Sequence, residues 1–454
     1  MDFNTLFSDK RFGKQKNYPD GIRSEYQRDF DRLIFCSPFR RLQNKTQVFP
    51  LPGSSFVHNR LTHSLEVSTV GRSLGKLAGV FIANKFAKGD KSVEFYKYEL
   101  NSVIAAACLA HDIGNPAFGH SGESAISNYF MTESSIKDQF TKEEWEDLTN
   151  FEGNANALRI LTNQLTGNLP GGQRLTYTTL ATIIKYPCES TGSLRGFKHL
   201  KKYGFFQSEK SHFLEIVKEF SLIEESASPV RYCRHPFVYL LEAADDITYT
   251  IVDFEDAQRL GILEFEEVSS RFLTLIECVN RKEDNVDEIK QKVHSITNQN
   301  EKIAYLRARA INSLILEVND VFQNNINSIL EGKFNSTLIG EIEKGCSAFV
   351  DIQRVSSEKI YNHRTVVELE LAGYNVMYDL LQLMIPSVLK LEEKRSKLHK
   401  KTIELIPDQY GSFSDSKTPY EKCMSVVEFV SGMTDVYATE LYRKIKGIEI
   451  GKHS

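Results

Sequence analysis

Hydrophobic positions recur at helical spacing along most of the chain. One run that begins near Thr62 places four apolar residues on a single helical face. These residues are Val70, Leu74, Leu77 and Phe81. Residues 101–111 differ, because almost every position is apolar, a pattern typical of a helix at the centre of a bundle. Gly114 and Pro116 are expected to end that central helix.

Three more segments carry the same periodicity. One opens at Pro236 and closes at Gly261, and the others cover 300–330 and 364–394. Strands and helices do not alternate as they do in a parallel-sheet protein. The chain is therefore expected to be all-α, a helical bundle with additional C-terminal helices and few or no strands.

A polar, charged stretch at 280–302 interrupts the hydrophobic periodicity. It either separates two regions or covers the solvated face of a helix. We expect one region over 1–280 and a helical C-terminal region over 281–454 that packs on it, or one domain throughout.

Composition narrows the functional classes. With 56 basic and 60 acidic residues the net charge is −4, which gives no general attraction for nucleic acid or an anionic membrane. The 7 cysteines form no CxxC pair, and the N-terminus has no apolar signal core. No apolar run approaches the roughly 20 residues that cross a bilayer. The sequence predicts a reduced, cytoplasmic protein without a membrane span.

The stretch LAHDIGNPAFGH, residues 109–120, adds polar chemistry to the end of the central apolar helix. Imidazole and carboxylate together suit a divalent cation. His111 and Asp112 supply two ligands, and His63 together with Asp245 or Asp246 are candidates for the others. Carboxylates beside apolar residues are costly without a partner, which a cation would provide.

Each of these residues also has a purely structural interpretation. A single histidine near a helix start often caps the helix or packs in the core. An Asp-Asp pair on a helix often lies on a solvated face. The combination of the histidines and the aspartates, rather than any one of them, therefore indicates a metal site.

The order His63, His111-Asp112, Asp245 resembles the HD-domain phosphohydrolases. Longer blocks are similar to the bacterial deoxyguanosinetriphosphate triphosphohydrolases and follow in the expected order. They are SPFRRLQNKTQVF (37–49), RLTHSLEVSTVGRSL (60–74), HDIGNPAFGHSGE (111–123), FEGNANALRIL (151–161) and EAADDITYTIVDFEDA (242–257). The last third of the chain matches only in length and helical character, apart from 366–381.

This resemblance implies that the region over 1–280 is an HD-domain catalytic core with an N-terminal substrate-binding segment. It also implies a metal site and assigns roles around it. The metal ligands are His63, His111, Asp112 and Asp245, with Mg²⁺ or Mn²⁺ as the usual ion. Asp245 is preferred over Asp246 because Asp245, Tyr249 and Asp253 reproduce the family's ligand, substrate tyrosine and sugar-binding aspartate, four residues apart on one helical face.

The remaining implied residues surround a nucleotide. His120 and Glu123 match the catalytic pair, with the glutamate orienting the imidazole. The expected substrate-binding residues are Gln43, Arg60, Lys185, Tyr186, Lys202, Tyr249 and Asp253. Cationic side chains along the phosphates are what phosphoryl transfer requires.

The implied activity is hydrolysis of dGTP, or of several dNTPs, to deoxynucleoside and inorganic triphosphate. Two alternatives stay open at this point: an HD phosphohydrolase that acts on another nucleotide, and a nucleotide or single-strand DNA sensor without turnover. The family also implies a homo-oligomer, commonly a hexamer, with single-strand DNA as a regulator.

Overall fold

α-Helices account for nearly all regular structure in the computed structural model, which describes residues 1–13, 23–49, 57–163, 171–279 and 285–449. The all-α prediction is confirmed. In chain order the helices and strands are α1 (Glu25–Phe35), α2 (Ser37–Arg41), α3 (Arg60–Lys85), α4 (Asp90–Glu94), α5 (Leu100–Ala110), α6 (His120–Thr132), α7 (Lys142–Thr149), α8 (Gly153–Thr162), α9 (Tyr177–Ile183), α10 (Lys210–Glu219), β1 (Glu224–Ala227), β2 (Val230–Tyr232), α11 (Val238–Arg259), α12 (Phe265–Cys278), α13 (Val286–Ser295), α14 (Gln299–Asn324), α15 (Ile326–Leu330), α16 (Leu338–Gly345), α17 (Ser347–Val355), α18 (Arg364–Leu389), α19 (Lys397–Glu404), α20 (Pro419–Ser431) and α21 (Asp435–Ile445).

The central apolar helix α5 packs antiparallel against α3. Gly75 of α3 allows the close approach, because a Cβ there would lie 2.9 Å from the Cα of Asn101. Gly71 faces Cys108 near the end of α5, and Gly79 faces Tyr96 just before α5 begins. The two helices therefore run in opposite directions. The start of α3, which carries His63, therefore lies beside the end of α5, which precedes His111.

Helix α11 crosses the same region. Ala244 lies 3.6 Å from the position that a Cβ on Gly71 would occupy, so α11 packs where α3 and α5 are closest. The predicted helix between Pro236 and Gly261 is confirmed as α11. This packing brings Asp245, the next residue of α11, toward both histidines.

A second apolar cluster joins the C-terminal helices to α6 and α7. Buried residues of α6 and α7 pack with residues of α18 and α20. The predicted helices over 300–330 and 364–394 are observed as α14 with α15 and as α18. The turn over residues 111–119, which carries His111 and Asp112 between α5 and α6, is thus flanked by C-terminal helices.

Three local features add to or correct the sequence analysis. β1 and β2 form an antiparallel hairpin that was not predicted. Cys278 and Cys346 are paired, with their Cα atoms 5.7 Å apart, a pairing that the sequence analysis did not predict. The charged stretch contains α13, which buries Ile289 and Val293, while 280–284 lie outside the described residues. Within the described residues no helix is long and apolar enough to cross a bilayer.

Candidate metal and catalytic site

Three predicted ligands from separate helices converge at one point. Nε2 of His63 lies 3.3 Å from Oδ1 of Asp245, and Nε2 of His111 lies 3.4 Å from the same oxygen. One ligand atom from each residue falls within 4.8 Å of the others. These separations match atoms arranged around a shared cation.

The hydrogen bonds of His111 prepare it to bind a metal. Its Nδ1 lies 2.7 Å from the carbonyl oxygen of Cys108, so Nδ1 donates its proton there and Nε2 is the ring nitrogen left to bind a cation. That Nε2 is buried and has no hydrogen-bond partner among the described residues. A buried polar atom without a partner is costly, and a divalent cation would satisfy it. The donor set therefore fits a metal.

Asp112, the fourth predicted ligand, is adjacent to the cluster, but both of its oxygens already accept hydrogen bonds from other side chains. Its Oδ2 accepts a hydrogen bond from Nη1 of Arg60 at 2.7 Å, and its Oδ1 accepts one from Nδ2 of Asn115 at 2.6 Å. Its Oδ1 also lies 3.5 Å from Nε2 of His111. The structure gathers three ligands closely and links the fourth to the arginine.

Negative charge dominates the centre of the site. Burial opposes protonation of His111, but the carboxylates of Asp112 and Asp245 outweigh it and raise the pKa of His111 to about 9. Burial alone would raise the pKa of Asp245, yet His111 and His63 hold it well below its usual range. A site that stabilises an extra positive charge this strongly is suited to a cation.

Cationic side chains line one wall of the site. Nζ of Lys185 is 3.5 Å from Oδ2 of Asp245. Burial opposes its charge, but Tyr186 and Asp245 keep the pKa of Lys185 above its usual range. Nζ of Lys202 pairs with Glu152 at 2.9 Å, and Lys201 beside it also lines the cavity. These cations suit a chain of phosphates.

His120 and Glu123 form a pair at the start of α6. Nδ1 of His120 lies 2.9 Å from Oε2 of Glu123, and Oε1 of Glu123 accepts a hydrogen bond from the amide of Gly153. The hydrogen bond to Glu123 raises the pKa of His120. The imidazole is exposed while the glutamate is largely buried, and both line the same cavity. The carboxylate is therefore held in place, and the ring is open to the cavity.

Two stacked tyrosines form another part of the site. The rings of Tyr249 and Tyr361 lie 5.4 Å apart at 16°. The hydroxyl of Tyr361 donates a hydrogen bond to Asp253 at 3.1 Å. Asp253 is buried behind these rings, and burial raises its pKa well above the usual range.

One cavity of about 610 Å³ contains most of these groups. Arg60, Tyr186 and Tyr249 line it, as do His120 and Glu123. His63, Gln43 and Asp253 are not among the lining residues. Gln43 is exposed outside the cavity, and Gln47 of the same segment lines it instead.

Several lining residues were not predicted. They are Thr46, Gln47, Asn154, Tyr361, Leu369 and Glu370. Leu369 and Glu370 belong to the 366–381 block, the one C-terminal stretch with a family signal. Tyr361 carries no local sequence signal, because its partner in the stack is more than a hundred residues away.

Comparisons with known proteins agree with this helical fold. The HD domain family model matches residues 60–162, which include His63, His111 and Asp112. The protein is an HD-domain hydrolase with a candidate metal site.

Curated relatives extend the match over the whole chain. The deoxyguanosinetriphosphate triphosphohydrolase-like protein of Synechocystis sp. is 37% identical over 461 residues, covering 99% of this chain and 100% of its own length. The similarly named protein of Pseudomonas aeruginosa is 35% identical, covering 98% and 99%. The deoxyguanosinetriphosphate triphosphohydrolase of Yersinia pseudotuberculosis is 30% identical, covering 99% of both. The chain belongs to the deoxyguanosinetriphosphate triphosphohydrolase family.

Proposed function

We propose that this protein hydrolyses deoxynucleoside triphosphates, with dGTP preferred, to deoxynucleoside and inorganic triphosphate, using Mg²⁺ or Mn²⁺. The observation that carries the proposal is the shared cavity. His111 and Asp245 from the ligand cluster, the His120–Glu123 pair and the lysine-lined wall all open onto the same 610 Å³ space. That volume is within the range of sites that bind small molecules.

The chemistry assigns a task to each group. A bound divalent ion supplies positive charge against the phosphate oxygens and makes water a better nucleophile. The water oxygen adds to the α-phosphorus and releases one proton to solvent, the bond from that phosphorus to the 5′ oxygen breaks, and His120 donates a proton to the departing 5′ oxygen. His120 then regains a proton from solvent. Its raised pKa keeps that proton available near neutral pH.

Fixed cations hold the triphosphate. Lys185 is buried and charged beside the ligand cluster, and Arg60 is oriented by its bond to Asp112. Lys202 is tied to Glu152 and lines the same cavity. Because these side chains are already positioned, little reorganisation is needed when phosphate binds.

The sugar and base occupy the tyrosine side of the cavity. Tyr249 packs on the deoxyribose, and Asp253 accepts a hydrogen bond from the 3′ hydroxyl once Tyr361 moves aside. Glu370 is an exposed carboxylate in the same lining. Guanine presents two adjacent donors, N1–H and the 2-amino group, that one carboxylate accepts together. This supports the preference for dGTP.

Product analysis tests the proposal. Each dNTP is incubated with Mg²⁺ or Mn²⁺, and the products are separated against triphosphate, pyrophosphate and orthophosphate standards. We expect deoxynucleoside and triphosphate, with dGTP consumed fastest. Pyrophosphate or orthophosphate as the first product would instead indicate an HD phosphohydrolase of another class. Binding without any product would indicate a sensor.

Family membership supports further expectations about the protein's state. We propose a cytoplasmic homo-oligomer, a hexamer, with single-strand DNA as a regulator of turnover. Light scattering after size-exclusion chromatography measures the mass directly. Turnover with and without a single-stranded oligonucleotide tests the regulation.

A further inference from the structure

A buried carboxylate at the start of α21 connects two segments that line the cavity. Asp435 is 6% exposed. Its Oδ2 accepts a hydrogen bond from the amide of Thr46 at 2.8 Å, and its Oδ1 accepts one from the amide of Phe118 at 2.9 Å. Both oxygens of one side chain are thus committed to backbone amides that are distant in sequence.

The Phe118 amide lies two residues before His120. Phe118 and Gly119 have φ values of +59° and +57°, a conformation that disfavours a side chain such as that of Phe118. Such a conformation persists only where surrounding contacts enforce it. Asp435 holds the amide, and Gly373 of α18 leaves room for the Phe118 ring.

Side chains of Lys45 and Asn156 hold the rest of the turn. Nζ of Lys45 donates hydrogen bonds to the carbonyl oxygens of Asn115 at 2.6 Å and Ser431 at 2.9 Å. Nδ2 of Asn156 donates to the carbonyl oxygen of Gly114 at 2.8 Å. Ser431 bonds to both Lys45 and Asn156, so Ser431 and Asp435 together support the turn that joins Asp112 to His120.

Asp435 is not needed to cap its own helix. Thr434 does so, since its hydroxyl accepts a hydrogen bond from the amide of Tyr437 at 3.2 Å. An aspartate in a first helical turn is favourable, but that explains neither its burial nor its bonds to Thr46 and Phe118. The carbonyl oxygen of Lys45, the residue before Thr46, accepts a hydrogen bond from the amide of Arg60. The bond between Thr46 and Asp435 therefore also connects α21 to the segment that carries Arg60.

We propose that Asp435 is a positioning residue for His120: it fixes the Phe118–Gly119 backbone and so sets where the imidazole meets the substrate. This inference rests on the proposed hydrolysis of a dNTP. It gives the C-terminal helices a direct part in the chemistry of the catalytic half.

A double-mutant cycle tests the inference. Wild type, Asp435→Ala, His120→Ala and the double variant are compared for kcat with saturating dGTP. We expect Asp435→Ala alone to lower kcat on the order of 10- to 100-fold, as misplacement by about 1 Å does. In the His120→Ala background the same change should have almost no further effect. Equal losses in both backgrounds, or no loss in the single variant, would overturn the inference.

Two variants keep the test interpretable. Thr434→Ala removes the cap of the same helix without touching Thr46 or Phe118, so it should lower the melting temperature and leave kcat unchanged. If Asp435→Ala does not fold, Asp435→Asn replaces it in the cycle, because its single carbonyl oxygen retains one of the two acceptors. If wild type turns over no dNTP, the proposed function has failed; turnover with an additive cycle rejects only the role of Asp435.

Discussion

Nδ1 of His120 lies 2.9 Å from Oε2 of Glu123, one helical turn away on α6, and the other oxygen of that carboxylate is anchored by the amide of Gly153. The carboxylate thus orients an imidazole that is otherwise exposed. Since Glu123 also raises the pKa of His120, the pair sets both the direction and the availability of one proton.

Glu123→Gln should move the pH dependence of activity. As a proton donor, His120 is active below its pKa, so kcat/KM falls as pH rises through that value. Removal of the Glu123 charge lowers the pKa of His120, and the alkaline limb should shift to lower pH. We also expect a roughly 10- to 100-fold loss of rate. Rates measured from pH 5 to 10 would show this, and Glu133→Gln at the end of α6 should leave the limb in place.

His111→Ala and His120→Ala should separate metal binding from catalysis. His111→Ala removes a buried ligand atom and should lose the bound ion and nearly all turnover. His120→Ala should retain the ion and lose only rate. Metal content by mass spectrometry and activity after chelation and Mn²⁺ addition distinguish the two. His294→Ala, an exposed histidine on α13, serves as the control, and equal metal loss in both site variants would contradict this division.

Gly119→Ala should reduce catalysis more than its backbone strain explains. An alanine there adopts a left-handed φ at a cost of about 1–2 kcal/mol, and its Cβ would lie 2.7 Å from Nη2 of Arg60. The arginine must move away from Asp112. Gly89→Ala is the matched control, because its φ is +78° and nothing lies within 4 Å of the added Cβ. Both should lose stability in thermal melts, but only Gly119→Ala should lose kcat.

Glu370→Gln should weaken the preference for guanine. A glutamine keeps one acceptor and adds a donor that opposes the 2-amino group of guanine. The ratio of kcat/KM for dGTP to that for dATP should fall on the order of 10-fold. Glu368→Gln, an exposed neighbour on α18, should leave this ratio unchanged. An unaltered ratio in Glu370→Gln would remove this carboxylate from base recognition.

Asp147→Asn should change how stability depends on pH. Burial raises the pKa of Asp147 to about 7, whereas the unfolded carboxyl titrates near 4. The unfolded chain therefore releases this proton first, and wild type loses stability as pH rises from about 4 to about 7, by a few kcal/mol at most. Asp147→Asn lacks this loss.

Urea unfolding at pH 5 and pH 8 checks the prediction for Asp147. The advantage of the asparagine variant over wild type should be larger at pH 8. Asp138→Asn, at an exposed position, should show no such difference. An advantage that shrinks toward pH 8 would mean that the buried carboxyl is ionised in the folded protein at low pH.

The helical architecture and the candidate metal ligands could be predicted from the amino-acid sequence alone. Helical periodicity is local, so α3, α5 and α11 could be predicted from residues near one another in the chain. The His120–Glu123 pair is similarly local, because residues three apart share a helical face. The family blocks supplied His63 and Asp245 as partners for His111.

The contacts between site residues that are distant in sequence could not be predicted and became visible in the folded chain. Arg60 donates a hydrogen bond to Asp112. Tyr361 donates one to Asp253, which is 108 residues away in sequence, and the amide of Phe118 donates one to Asp435, which is 317 residues away. Such contacts depend on how helices pack, and packing of one helix on another leaves no periodic trace in the sequence of either. Long-range hydrogen bonds from backbone amides, such as that of Phe118, leave no signal in the sequence, because every residue except proline offers the same donor.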